Sequence, residues 1–144
     1  MREKYLLDRL EIEDLFARYA HAADEYNAKA WLDCFAVDGI FEFAVANQHI
    51  QFIGQAALHE FIDAHIRLLP GTRHAMTKHL VEIEGAKAQH RCTITGTLSR
   101  PEKVYTFISG GYESHLEKVD GEWKILKRTA HADNVASITD GELA

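Results

Sequence analysis

Two residues in this 144-residue sequence are best placed to do chemistry: a histidine just after a Pro-Gly break and an aspartate ending an amphipathic run. Gly71-Thr72-Arg73-His74 follows Pro70 and opens a predicted strand, so His74 stands at the start of a new element. Upstream, the periodic segment from Leu10 ends in Asp24, an acid set among Ala20, Ala22, Ala23 and Tyr26. A carboxylate at a helix C-terminus is disfavoured by the dipole by about 0.3–1 kcal/mol, which favours a compensating cationic or imidazole partner. A carboxylate that holds an imidazole fixes its tautomer and raises its basicity, giving a general base that works near neutral pH. We therefore expect Asp24 and His74 to meet. Tyr19 lies on the apolar stripe of the same helix, which fits either a plain core tyrosine or one whose hydroxyl faces a cavity and holds a carbonyl or a leaving hydroxyl.

The elements that must position these groups follow from periodicity. Asp8-Arg9-Leu10-Glu11 has the form of a capping box, and Ile12, Leu15, Phe16, Tyr19 and Ala23 recur at helical spacing, predicting a helix from Asp8 to Tyr26. Asn27 caps a second helix, Ala28 to Phe35, carrying Trp31 and Phe35. Segments 40–45 and 49–53, with Phe43 in the first, read as a hairpin. Leu58, Phe61, Ile62, His65, Ile66 and Leu69 then define a third helix, from Gln55 to Leu69. Everything beyond Gly71 reads as strand: 74–84, 86–98, 104–119 and 122–134, with Asp120-Gly121 as a hairpin turn and Gly110-Gly111 as an expected bulge. Helices segregated to one side of an antiparallel sheet define an α+β domain, three helices filling the concave face of a strongly bent sheet. The tail from Val135 is expected to fray or fold over the mouth.

One domain spanning 1–144 fits the length, which allows burial of roughly 70% of the unfolded chain's surface. Sixteen basic against 22 acidic residues give net −6 with no basic cluster, which disfavours nucleic acid. The charged start and the lack of a long apolar stretch disfavour a membrane, and the expected location is cytoplasmic. Cys34 and Cys92 have no metal-knuckle spacing and read as buried thiols. His59/Asp63 and His21/Glu25 have ligand spacing on helices, but ordinary solvated pairs have it too. His74 and His79 differ by an odd number and point to opposite faces absent a bulge, so no metal is expected.

This order of elements, with Tyr-x4-Asp at Tyr19/Asp24, Arg-His at Arg73/His74 and Trp-x4-Arg at Trp123/Arg128, resembles the SnoaL-like family of the nuclear-transport-factor-2-like cone folds. The likeness covers about Asp8 to Asn134 and is closest in motif to scytalone dehydratase, bile-acid 7α-dehydratase and hexachlorocyclohexane dehydrochlorinase. It implies an Asp24–His74 base for a cofactor-free elimination on an apolar, cyclic small molecule. Tyr19 and Arg128 would assist the carbonyl or leaving group. Alternation with Lys124 and Leu126 does not by itself place Arg128. Phe16, Trp31, Phe35, Phe43 and Phe61 would form apolar walls, and Lys78 would stand where many relatives have an asparagine in the polar wall. The wider family also implies ketosteroid-isomerase-like or polyketide-cyclase-like isomerases, or a non-catalytic ligand-binding dimer, since fold alone decides little. A homodimer or higher oligomer is expected through the convex face, to which Thr93, Thr95, Thr97, Ile108 and Leu116 are assigned.

Overall fold

The computed structural model describes residues 2–134 as three helices and six strands. Helix α1 (Arg2–Asp24), α2 (Ala28–Asp33), β1 (Phe35–Val45), β2 (Gln48–Ile53) and α3 (Gly54–Leu68) precede a meander of β3 (Thr72–Glu84), β4 (Lys87–Arg100), β5 (Lys103–Val119) and β6 (Glu122–Ala132). The single sheet runs β2-β1-β6-β5-β4-β3, with β1 parallel to β6 and every other pair antiparallel. This is the expected α+β architecture, helices in the concave face of a curved sheet. The tail from Val135 lies outside the described residues.

Helix α1 starts earlier than its capping-box pattern suggests. Asp8 sits inside it, 2% exposed, and does not cap. Its Oδ1 accepts hydrogen bonds from Trp123 Nε1 at 3.1 Å and Lys118 Nζ at 3.0 Å, and its Oδ2 from Lys4 at 3.1 Å. Burial alone would push this carboxyl up, but the bonds from Lys118, Lys4 and Trp123 hold it below its ordinary value. Asp8 thereby pins α1 to β5 and β6. The buried face of α1 continues through Ile12, Leu15, Phe16 and Tyr19, and that of α3 is Leu58 and Ile62. Leu58 and Ile62 are fully buried, and truncating either to Ala would cost about 2–5 kcal/mol.

The sheet carries four register shifts, at Phe35/Ile40, Thr77/Leu80, Gly96/Thr97 and His115/Leu116, and the bend comes from them. An extra residue on one strand of a pair raises local twist and turns the strand. The expected bulge at Gly110-Gly111 is not among them: Gly110 pairs with Ile94 and Gly111 with Thr93 in regular register. Gly110 answers a different demand, since a Cβ there would collide with the His131 carbonyl. Thr93, Thr95 and Thr97 face outward, partly or fully exposed. Ile108 and Leu116 do not join them, because their side chains belong to the buried core.

Candidate active site

The end of α1 and the start of β3 are tied together by the backbone. After Asp24 the chain reverses through Tyr26, whose φ of 61° is left-handed, and Asn27 N–H closes onto Ala22 O at 2.8 Å. Asn27 then caps α2, its Oδ1 accepting from Ala30 N at 3.0 Å. The reversal aims the Tyr26 hydroxyl at Gly71, whose N–H donates to it at 2.8 Å. One residue later β3 begins against Asp24.

Asp24 Oδ1 lies 2.6 Å from His74 Nδ1, both side chains nearly excluded from solvent. The same carboxylate accepts from the His74 backbone N–H at 3.0 Å and from the Thr72 hydroxyl at 3.0 Å. Burial would raise this carboxyl, but the side-chain and backbone hydrogen bonds of His74, with Thr72, hold it below its ordinary value. An ionised carboxylate only accepts, so the imidazole proton sits on Nδ1. His74 Nε2, with its lone pair, has no hydrogen-bond partner among the described residues.

His74 lies in the wall of a cavity of about 350 Å³ between the helices and the sheet. Its apolar lining comes mainly from Trp31, Phe41, Phe43, Phe61 and Phe107. The rings interlock: Phe61 stacks on Phe41 at 4.5 Å, and Trp31 tilts against Phe61 at 5.7 Å. The polar groups of the lining are His74, His65, Tyr19 and Tyr112. Burial raises the Tyr112 hydroxyl well above its ordinary pKa, so it stays protonated.

Of the residues singled out from sequence, Asp24 and His74 touch each other, and His74, Tyr19, Trp31, Phe43 and Phe61 line the cavity. Four stand elsewhere. Arg128 is fully buried behind the lining, its guanidinium 3.6 Å from the Tyr112 ring centroid, 4.4 Å from Phe16 and 4.5 Å from Tyr19. It donates to Ser114 Oγ at 2.7 Å and to Met76 Sδ at 3.2 Å, so two tyrosine rings separate it from a ligand. Phe16 lies beneath it and stacks on His90 at 4.1 Å. Phe35 packs behind Trp31, centroids 4.7 Å apart. Lys78 is exposed at the β3 bulge with a φ of 60°, and it is not part of the lining. Phe41, Phe107, Tyr112 and His65 are lining residues that the sequence reading did not assign. Phe41 and His65 carried the strand and helix periodicity that would have found them.

The histidine pairs with metal-ligand spacing are exposed contacts with acids: His59–Asp63 at 3.2 Å and His21–Glu25 at 3.6 Å. The bulge at Lys78 turns His79 inward, where its Nδ1 meets His90 Nε2 at 2.9 Å, with Cys92 close by. Both cysteines are buried free thiols.

Residues 4–129 match the SnoaL-like domain, and the chain belongs to that family. Among solved structures it is similar to an aspartate-to-asparagine variant of a function-unknown protein from Mycobacterium tuberculosis. That chain is 32% identical with a TM-score of 0.85, over 93% of this chain and 76% of that one. It is also similar to a nuclear-transport-factor-2-like protein with a cystatin-like fold from Novosphingobium aromaticivorans, 26% identical with a TM-score of 0.81, over 99% and 93%. The fold alone is shared with a protein of the same organism provisionally named scytalone dehydratase, 18% identical with a TM-score of 0.79, over 96% and 100%. A comparison with curated proteins gives no match. No helix among the described residues is long and apolar enough to cross a membrane.

Proposed function

We propose that this chain is a cofactor-independent lyase of the dehydratase type, acting on an apolar, cyclic small molecule. The observation that carries this reading is the 2.6 Å contact of Asp24 with His74 in the wall of a mostly aromatic cavity, leaving His74 Nε2 free. In the reaction, His74 Nε2 takes a proton from carbon, the C–H electrons form the new double bond, and the C–O bond breaks with its electron pair going to the hydroxyl oxygen, which leaves as water with the proton that His74 returns. Asp24 holds the ring in the required tautomer and stabilises the imidazolium that forms. Tyr19 donates its hydroxyl to the carbonyl or departing oxygen. Arg128 sits against the faces of Tyr19 and Tyr112, so its part is to fix those rings rather than to touch substrate. All bond changes are proton transfers and heterolytic cleavage, which side chains alone can supply.

Ketosteroid-isomerase-like and polyketide-cyclase-like reactions begin with the same proton abstraction, and a non-catalytic ligand-binding domain would need none. A panel of cyclic β-hydroxy ketones and β,γ-unsaturated ketones, followed by ultraviolet absorbance of the conjugated product, separates them. Dehydration of the hydroxy ketones is expected. His74→Gln and Asp24→Asn should each lower turnover by about 10²–10⁴-fold with folding intact. The double variant should be scarcely worse than the single ones, since a base and its orienting carboxylate act as one unit. Penalties that multiply, or near-normal turnover in His74→Gln, would overturn the mechanism.

A further inference from the structure

A second imidazole shares the cavity. His65, in the last turn of α3, lines the same space as His74, their ring centroids 5.3 Å apart. Phe61 and Phe107 flank it at 6.2 and 6.0 Å. Its Nε2 is wholly buried, and among the described residues neither ring nitrogen has a hydrogen-bond partner. An unpaired buried nitrogen costs about 1–3 kcal/mol, so a core built only for packing would favour an apolar ring here. A histidine at a helix C-terminus commonly serves as a cation on the dipole. That role is closed here, because burial pushes His65 down to about 4 and leaves it neutral at pH 7.

Resting on the lyase reading above, we propose that His65 is the specificity-determining residue of this site: its neutral imidazole hydrogen-bonds the oxygen of an uncharged ligand of about a dozen heavy atoms. The size follows from the volume, since at about 30 Å³ of liquid per water some 350 Å³ corresponds to roughly a dozen such units. Lack of charge follows from the lining. Among the described residues no Lys or Arg is part of it: Arg128 is walled off by Tyr19 and Tyr112, and Lys78 is exposed at the bulge. A carboxylate or phosphate would therefore lose its hydration with no cation to receive it, which is costly in an aromatic cavity. A neutral imidazole offers one donor and one acceptor, matched to a hydroxyl or carbonyl. The imidazole χ2 torsion is broad, so a small tilt turns an N–H toward the cavity.

The test uses three probes of one shape: 2-naphthol, naphthalene and 2-naphthoate, with affinities read by probe fluorescence at pH 7. For the unmodified protein we expect 2-naphthol to bind about tenfold tighter than naphthalene, and 2-naphthoate not to bind. In His65→Phe and His65→Leu, naphthalene affinity should hold within a few-fold while the preference for 2-naphthol disappears; retained naphthalene binding also reports that the cavity is folded. In ¹⁵N-histidine spectra of the unmodified protein, 2-naphthol should shift the His65 ring nitrogens and naphthalene should not. Preference retained in both variants, unmoved His65 nitrogens, tight 2-naphthoate binding, or no binding by any probe would each overturn the proposal. Loss of the preference in His74→Gln instead of the His65 variants would overturn it too. The lyase reading is judged separately, by turnover of His74→Gln and Asp24→Asn, so either idea can fail while the other stands.

Discussion

His90 makes the stability of this protein depend on acid in a way that can be worked out from its surroundings. The residue is 2% exposed on β4, stacked on Phe16 and bonded through Nε2 to His79 Nδ1, while its buried Nδ1 has no partner among the described residues. Burial, with the nearby charges of Arg128, His79 and Arg9, pushes it down from 6.5 to about 3. As pH falls below 6.5 the unfolded chain takes up a proton at this residue that the folded chain refuses until about 3. Stability is therefore lost at about 1.36 kcal/mol per pH unit over that window. By pH 4.5 the loss is on the order of 2–3 kcal/mol, a large share of the 5–15 kcal/mol typical of a domain.

Replacing His90 by Phe keeps a ring on Phe16 and removes the titration. At pH 7.5 the variant loses one hydrogen bond, about 0.5–1.5 kcal/mol, partly offset by removal of the orphaned nitrogen. Urea unfolding followed by circular dichroism at pH 7.5, 5.5 and 4.5 should show the stability difference moving toward the variant by about 2–3 kcal/mol between the extremes. The two stability curves then approach or cross in acid. A difference that stays constant from pH 7.5 to 4.5 would mean that folded His90 accepts a proton as readily as the unfolded chain, and the argument from burial would fall.

Three further outcomes are expected. Asp8→Ala should cost about 2–3 kcal/mol at pH 7, because Trp123 Nε1 and the partly buried Lys118 lose their shared acceptor. Thermal melts should show this cost shrinking as pH falls below 3.8, where the unfolded carboxyl takes up a proton that the folded one, held lower, still refuses. Gly110→Ala should destabilise by about 3 kcal/mol or more, since its Cβ meets the His131 carbonyl, whereas Gly111→Ala, with Cys92 O at an ordinary 3.5 Å, should melt within a few degrees of wild type. The outward row of Thr93, Thr95 and Thr97 supports a proposed dimer through the convex face. Light scattering at micromolar concentration should give twice the chain mass, and Thr95→Arg should give the monomer.

How much the sequence revealed depended on whether a residue's placement rested on an element's end or on counting along a strand. Asp24 and His74 could be paired because a helix stop and a Pro70-Gly71 break fix where each falls, whatever happens later in the sheet. The wall residues Trp31, Phe43 and Phe61 were likewise fixed by local periodicity. Asp8 misled because a capping box is a local pattern. The carboxylate is claimed instead by Trp123 and Lys118, more than a hundred residues away.

Strand residues were misplaced where a bulge breaks the two-residue alternation. Ile125 pairs with Leu116 and Lys127 with His115, so Leu126 is the extra residue, and Arg128 turns inward beneath Tyr112 instead of keeping to one face with Lys124 and Leu126. In the same way Thr106 pairs with Thr97 and Ile108 with Gly96, which leaves Phe107 unpaired and lets both Phe107 and Ile108 line the cavity. On β3 the shift past Lys78 brings His79 to His90 on the inner side. A bulge reverses the face of every residue beyond it, as a register slip does. Nothing in the alternation itself announces the extra residue, since exposed Lys78 and lining Phe107 are ordinary strand neighbours by composition. The bulges that bend the sheet around the cavity therefore also hid from sequence counting which side chains it holds.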